Sequence, residues 1–137
     1  MKLHLLFKIR WNTYCFIDDV NNVWKECYRV LKKGGSLLAG FCNPIMYIFD
    51  FHEWDVNSNL VVKYNIPYSD IDQLPKEQLK ARIEANAPLE FGHSLANQIS
   101  GQIKAGFMIN GFYEDSSGGD LLDPYINTFI ATRAIKL

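Results

Sequence analysis

Apolar residues at Val20, Val23, Trp24, Cys27, Val30 and Leu31 recur at the spacing of one helix face. Asp18 and Asp19 stand just before them as N-cap candidates. Lys32 and Lys33 follow in the predicted last turn, where cations favour the negative end of the helix dipole. Gly34 is the expected left-handed stop. Residues 36–41 are then almost continuously apolar, the pattern of a strand buried on both faces, as in a parallel sheet.

The remaining pattern is less regular. Residues 3–9 are mostly apolar and predict a first strand, and Asn43-Pro44 closes the strand at 36–41. Residues 60–64 read as a short strand. Pro75 is placed to open a helix reaching about Glu84, with Leu79 and Ile83 as a thin apolar stripe. Ser94 is an N-cap for a helix over 95–105, with Leu95, Ile99 and Ile103 on one face and Gly106 at its end. A strand over 107–114, a loop "SSGGD" that its composition marks as mobile, and a final strand at 129–135 complete the reading.

Composition narrows the function classes. The 137 residues suit one domain, 48% hydrophobic and 21% charged. A net charge of -1, with no basic run beyond Lys32-Lys33, excludes a basic nucleic-acid-binding face. Cys15, Cys27 and Cys42 are odd in number and lack C-x-x-C spacing, so reduced thiols and a cytoplasmic location are expected. His4 and His52 have no acidic or cysteine partners at metal spacing, and no metal is expected. Lys8 and Arg10 break the apolar N-terminus, which fits a strand better than a signal peptide. The apolar run at 44–51 is far shorter than the roughly 20 residues that span a bilayer, so no membrane partner is expected.

The stretch "VWKECYRVLKKGGSLLAGFCNP" resembles the helix and fifth strand of class I S-adenosylmethionine-dependent methyltransferases, with Arg29, Val30, Leu31, Gly34 and Gly35 on the family's run. "EFGHSLANQISGQIKAGFMINGFYED" resembles the last helix and sixth strand, through Ala105, Gly106 and Phe107. "TFIATRAIK" resembles the seventh strand, which in that fold inserts antiparallel beside the fifth. The resemblance implies an α/β fold: a partial Rossmann-like methyltransferase sheet of about four strands, the last antiparallel, with flanking helices. One domain over 1–137 would carry an inserted substrate-side segment at about 44–91.

One departure is large. The family binds its cofactor on a glycine-rich turn between a first strand and a helix. Here Gly34-Gly35 leads into a strand, Gly118-Gly119 lies in a loop, and Gly101, Gly106 and Gly111 cross a helix end and a strand. No acidic residue stands where the family holds the cofactor's ribose. The chain therefore resembles the C-terminal half of the domain, without the N-terminal cofactor-binding half. The expected function is a methyltransferase-family protein, truncated, with little or no activity alone. S-adenosylmethionine is its cofactor by resemblance. The alternative is a non-catalytic binding or assembly module that pairs with itself or with a separate N-terminal half. An unrelated α+β domain with a similar pattern is a third reading.

Candidate residues follow from position. Asn12 and Tyr14 come after the first strand, where the resemblance places the cofactor's methyl group and the acceptor; the other reading is that Asn12 caps a turn and Tyr14 packs. His93, before a helix start, is a candidate general base or a packed histidine. Asn43, ending a strand at the carboxyl edge, is a candidate cofactor ligand or a residue satisfying its own turn. The insert's aromatics, Tyr47, Phe49, Phe51, Trp54, Tyr64 and Tyr68, form either an acceptor pocket or a satellite cluster. An unknown small-molecule acceptor is the expected ligand. With half of the sheet missing, residues 3–9 become an edge, and a homodimer through that edge or the uncovered face is expected.

Overall fold

The computed structural model describes residues 14–137 and the backbone of Leu6–Ile9. Helix α1 (Val20–Val30) starts where Asp19 accepts the N–H of Asn21 at 3.0 Å, and it buries Val20, Trp24 and Cys27. It ends earlier than the glycine suggested. Leu31 turns to an extended conformation while its N–H still reaches the Cys27 carbonyl, and its side chain stays in the core. Gly34, at φ 78°, makes the tight turn that follows.

That turn feeds β2 (Ser36–Cys42), which pairs in parallel with β1 (Leu6–Ile9), with Phe7 opposite Leu37. Strand β6 (Phe129–Ile135) runs antiparallel between β2 and β5 (Met108–Asp115). The sheet order is thus β1-β2-β6-β5, with the last strand inserted in the interior as expected. A bulge between Ile109 and Gly111 shifts the β5 register.

Burial on β2 corrects one expectation. Leu37, Ala39 and Phe41 pack with Trp24 and Cys27 of α1 and with Leu31 just beyond it in one core, which Ile130 and Ala134 of β6 join. Ser36, Leu38, Gly40 and Cys42, on the opposite face, are only half-buried. Among the described residues, the strand is covered closely on the helix face alone.

The segment predicted as one helix over 95–105 forms a π-turn (Ala96–Ser100) running into α5 (Gly101–Ala105). Of the expected apolar stripe, only Ile99 packs against the core. Leu95 and Ile103 are exposed, whereas Gln98 and Gln102 are buried. Two contacts fix this rotation. At Gly101 a Cβ would lie 2.6 Å from Asn21 Oδ1 and 2.7 Å from Trp24 Cδ1, so glycine permits a close approach to α1. The Trp24 indole N–H donates to the Asn97 carbonyl at 2.9 Å. Buried polarity is then met at the sheet: Thr132 donates to Gln102 Oε1, and Gln102 donates to the Gln98 carbonyl, both at 2.9 Å.

Between β2 and the π-turn, the insert comprises a 3-10 turn (Pro44–Tyr47), α2 (Phe51–Asn57), β3 (Tyr68–Ser69), α3 (Asp70–Gln73), α4 (Lys76–Glu84) and β4 (Phe91–Gly92). The strand expected at 60–64 reduces to a single bridge, Phe49 to Val62. Tyr47, Tyr64 and Tyr68 form a second buried cluster, with Phe51 packed edge-on to Tyr68 at 5.5 Å. Asp70, fully buried, ties the insert together by accepting from the Tyr68 hydroxyl at 2.7 Å, the Glu90 N–H at 2.9 Å and Arg82 Nη1 at 3.1 Å.

The "SSGGD" loop is pinned, contrary to its composition. The Asp123 carboxylate accepts N–H groups from Ser117, Gly118, Gly119 and Asp120 at 3.2, 2.9, 2.6 and 2.9 Å. No helix among the described residues is long and apolar enough to cross a membrane.

Candidate functional site

Parallel strands place their carboxyl ends, and the loops that follow, at one edge of the sheet, where open α/β folds bind ligands. Here β2 ends at Cys42, and the turn after β1 contains Tyr14 and Cys15. Between them and the π-turn lies a small, partly open cavity of about 10 Å³, room for about one water. Tyr14, Cys15, Cys42, Tyr47, His93 and Gln98 line it, together with the rings of Phe41 and Phe91.

Each wall has a local cause. The β3–β4 pairing carries the chain past Tyr47, and Gly92 makes this possible, because a Cβ there would lie 2.7 Å from Tyr47 Cγ. His93 follows directly and is buried, with Nε2 3.0 Å from the Tyr14 carbonyl. A carbonyl can only accept, so Nε2 carries the proton and Nδ1 is the ring's acceptor in the neutral form. The π-turn then brings Gln98 to the cavity, 3% exposed, with an amide oxygen that has no hydrogen-bond partner among the described residues.

The electrostatics are uniform in sign. Burial pushes the Cys42 thiol up to about 12, and the negative charges of Cys15 (when ionised), Glu90 and Asp120 push in the same direction. Burial and then Glu90 also raise Cys15. Burial chiefly, followed by Cys15 and Glu90, raises the Tyr47 phenol. Among the described residues, no cation acts on any of these three groups.

The structure joins two of the residues singled out from sequence. Tyr14 and His93 meet, but through the Tyr14 backbone; its ring packs in the core, 5.0 Å from Trp24 and 6.4 Å from Phe41. Desolvation keeps that phenol well above its ordinary range, so it stays neutral. Asn43 caps the 3-10 turn by accepting the Ile45 N–H at 3.1 Å, and its amide donates to the Asn127 carbonyl at 3.4 Å. Asn12 lies outside the described residues. Sequence reasoning did not single out Gln98, Cys15 or Cys42 for this site. A polar Gln98 in a helical pattern beside Leu95 and Ile99 was the available signal.

No protein-family model matches the chain. The chain is 53% identical over 122 residues to the Bacillus subtilis (strain 168) protein named "Uncharacterized methyltransferase YbaJ". That match covers 89% of this chain and 47% of the relative, so the chain spans about half of the relative's length. Among solved structures, a proposed S-adenosylmethionine-dependent methyltransferase from Listeria monocytogenes superposes with a TM-score of 0.58 at 14% identity, over 96% of this chain and 60% of its own. An S-adenosylmethionine-dependent methyltransferase from Mesorhizobium loti superposes with a TM-score of 0.59, also at 14% identity, over 95% and 60%.

Whether the described residues fit that cofactor can be tested on their backbone N–H groups. A cradle for a nucleoside-bearing cofactor needs such groups open at a strand–helix turn. The N–H groups of Gly34 and Gly35 are taken by the carbonyls of Lys136 and Lys32, and those of Gly118 and Gly119 by Asp123. The carboxyl-edge cavity holds a group of water size, not an adenosine. The described residues do not fit the whole cofactor. The chain has the fold of the C-terminal half of a class I methyltransferase, and its sequence matches about half of a protein named as one.

Proposed function

We propose that the chain forms the acceptor-side wall of an S-adenosylmethionine-dependent methyltransferase site, with the cofactor's cradle supplied outside the described residues. The observation that supports this most is the inserted antiparallel β6 in a sheet whose carboxyl edge carries a polar cavity. In this reading His93 is the general base, oriented through Nε2 by the Tyr14 carbonyl. Tyr14 is its anchor, and Asn43 shapes the edge through its two backbone bonds. Asn12 keeps its place as a candidate beside the acceptor. The insert's aromatic cluster, continuous with the cavity through Tyr47, forms the acceptor's wall.

Calorimetric titration with S-adenosylmethionine tests this reading. The chain alone is expected to bind with Kd above about 100 μM, equivalent to less than roughly 6 kcal/mol. Micromolar binding by the chain alone would show that it holds a complete cradle and would overturn the proposal. The same reading places the chain in the reducing cytoplasm and makes β1, an edge strand of the described sheet, a pairing edge for a second copy. Light scattering at micromolar concentration is expected to give a dimer mass, and a monomer mass would remove that part.

A further inference from the structure

We propose that the carboxyl-edge cavity binds a cationic amine, the –NH₃⁺ or alkylammonium head of the methyl acceptor. This inference rests on the acceptor-side reading above and names its substrate class. Size is the first ground: the cavity takes one group about as large as water, and its open side leaves a path for the rest of a larger molecule. Hydrogen-bonding capacity is the second. Gln98 lines the cavity with an amide oxygen lacking any partner among the described residues, and His93, with Nε2–H committed to Tyr14, offers Nδ1 as an acceptor. The Gln98 oxygen and the Tyr14 hydroxyl, which also lines the cavity, have no partner among the described residues, and an ammonium group carries up to three donors.

The third ground is charge. Among the described residues the lining contains no lysine or arginine. Glu90, adjacent in sequence to the lining residue Phe91, acts on Cys15, Cys42 and Tyr47, and Asp120 acts on Cys42. Arg82, 3.5 Å from Glu90, offsets part of that charge, but it also bonds Asp70 and the Pro88 carbonyl. Four aromatic residues, Tyr14, Phe41, Tyr47 and Phe91, also line the cavity, and aromatic faces attract cations. A neutral hydroxyl would use the hydrogen bonds but gain little from field or rings. An anion would oppose the field.

The test follows the ring resonances of His93 by NMR, with His52 as an internal control, on the intact chain. Methylammonium chloride is expected to move the His93 signals saturably, and methanol is not. Gln98→Met, close in length, is expected to weaken methylammonium binding about tenfold. Gln98→Glu is expected to tighten it severalfold, which keeps the test open should the methionine variant misfold. The proposal fails if methylammonium leaves His93 unmoved or if both Gln98 variants bind like the parent. It also fails if trimethylsulfonium, which has no N–H, binds as well as methylammonium; the occupant would then be a sulfonium. Methylammonium binding without any contribution to methyl transfer would sink the acceptor-side reading and leave the amine site standing. The converse result would sink the amine site alone.

Discussion

Removing the Asp70 carboxylate is the sharpest probe of how the insert is held. Asp70 is fully buried, and its two oxygens serve three donors: the Tyr68 hydroxyl, the Glu90 N–H and Arg82 Nη1. Asp70→Ala leaves the first two orphaned in a dry cluster, at about 1–3 kcal/mol each. Arg82 adds less, because it is about a third exposed and keeps Glu90 at 3.5 Å and the Pro88 carbonyl at 3.1 Å. The expected loss is therefore about 3–5 kcal/mol, the range for a buried ion pair stripped of one partner. For a domain of this size about 3–4 °C of Tm accompanies each kcal/mol, so thermal unfolding followed by circular dichroism should shift down by about 9–20 °C. Asp70→Asn should lose most of the same stability, because its amide turns an N–H₂ toward one of the donors. Arg82→Ala should cost a similar amount, about 3–5 kcal/mol, because it leaves Asp70 as a fully buried carboxylate without its cation. An Asp70→Ala variant within about 1 kcal/mol of the parent would refute the account of the cluster.

Gly101→Ala should be destabilising by about 1–3 kcal/mol in urea unfolding despite alanine's better helix propensity, because the new Cβ meets Asn21 and Trp24 below 3 Å; a stabilised variant would contradict the packing. Gly92→Ala should displace the Tyr47 ring, and the chemical shifts of Tyr47 and His93 should move together in an otherwise unchanged spectrum. Backbone N–H groups hold the half-buried Asp123 carboxylate at about 2, below its ordinary 3.8, so its contribution is complete above about pH 4 and lost as pH falls toward 2. The Gly118 and Gly119 amide shifts should report a midpoint well under 3.8, and a midpoint at or above that value would mean that the loop is not pinned. Burial raises the Cys27 thiol to about 11 and the Cys42 thiol to about 12, so both are protonated at pH 8 and should alkylate with iodoacetamide far more slowly than a free thiol. Rapid labelling of Cys42 in the folded chain would contradict its burial.

Long apolar periods were legible. The α1 stripe, the Ser36–Cys42 strand and the Phe129–Ile135 strand each carry a pattern that tertiary packing then used. The interior position of β6 was legible only through the family resemblance, since no local pattern encodes which strand lies between two others. The helix before β5 was misread in orientation because contact decided it: Gly101 fits against Trp24, which turns Gln98 and Gln102 inward and leaves Leu95 and Ile103 outside. The "SSGGD" loop was misread because its order comes from Asp123, a residue beyond the motif. Strands of two residues, such as β3 and β4, have no period to detect, and they position His93. The cavity itself depends on pairing across 79 residues, Tyr14 to His93, which local pattern cannot express.

The order of strands also fixes the order of events during synthesis. Of these strands, β6 is the last to leave the ribosome, yet it fills the seam between β2 and β5. Until residues 129–135 emerge, neither neighbour has its partner on that side, and the nascent chain carries two unmatched strand edges. Closure is then a single step that joins both flanks at once, so deleting residues 129–135 would leave a split sheet rather than a trimmed one.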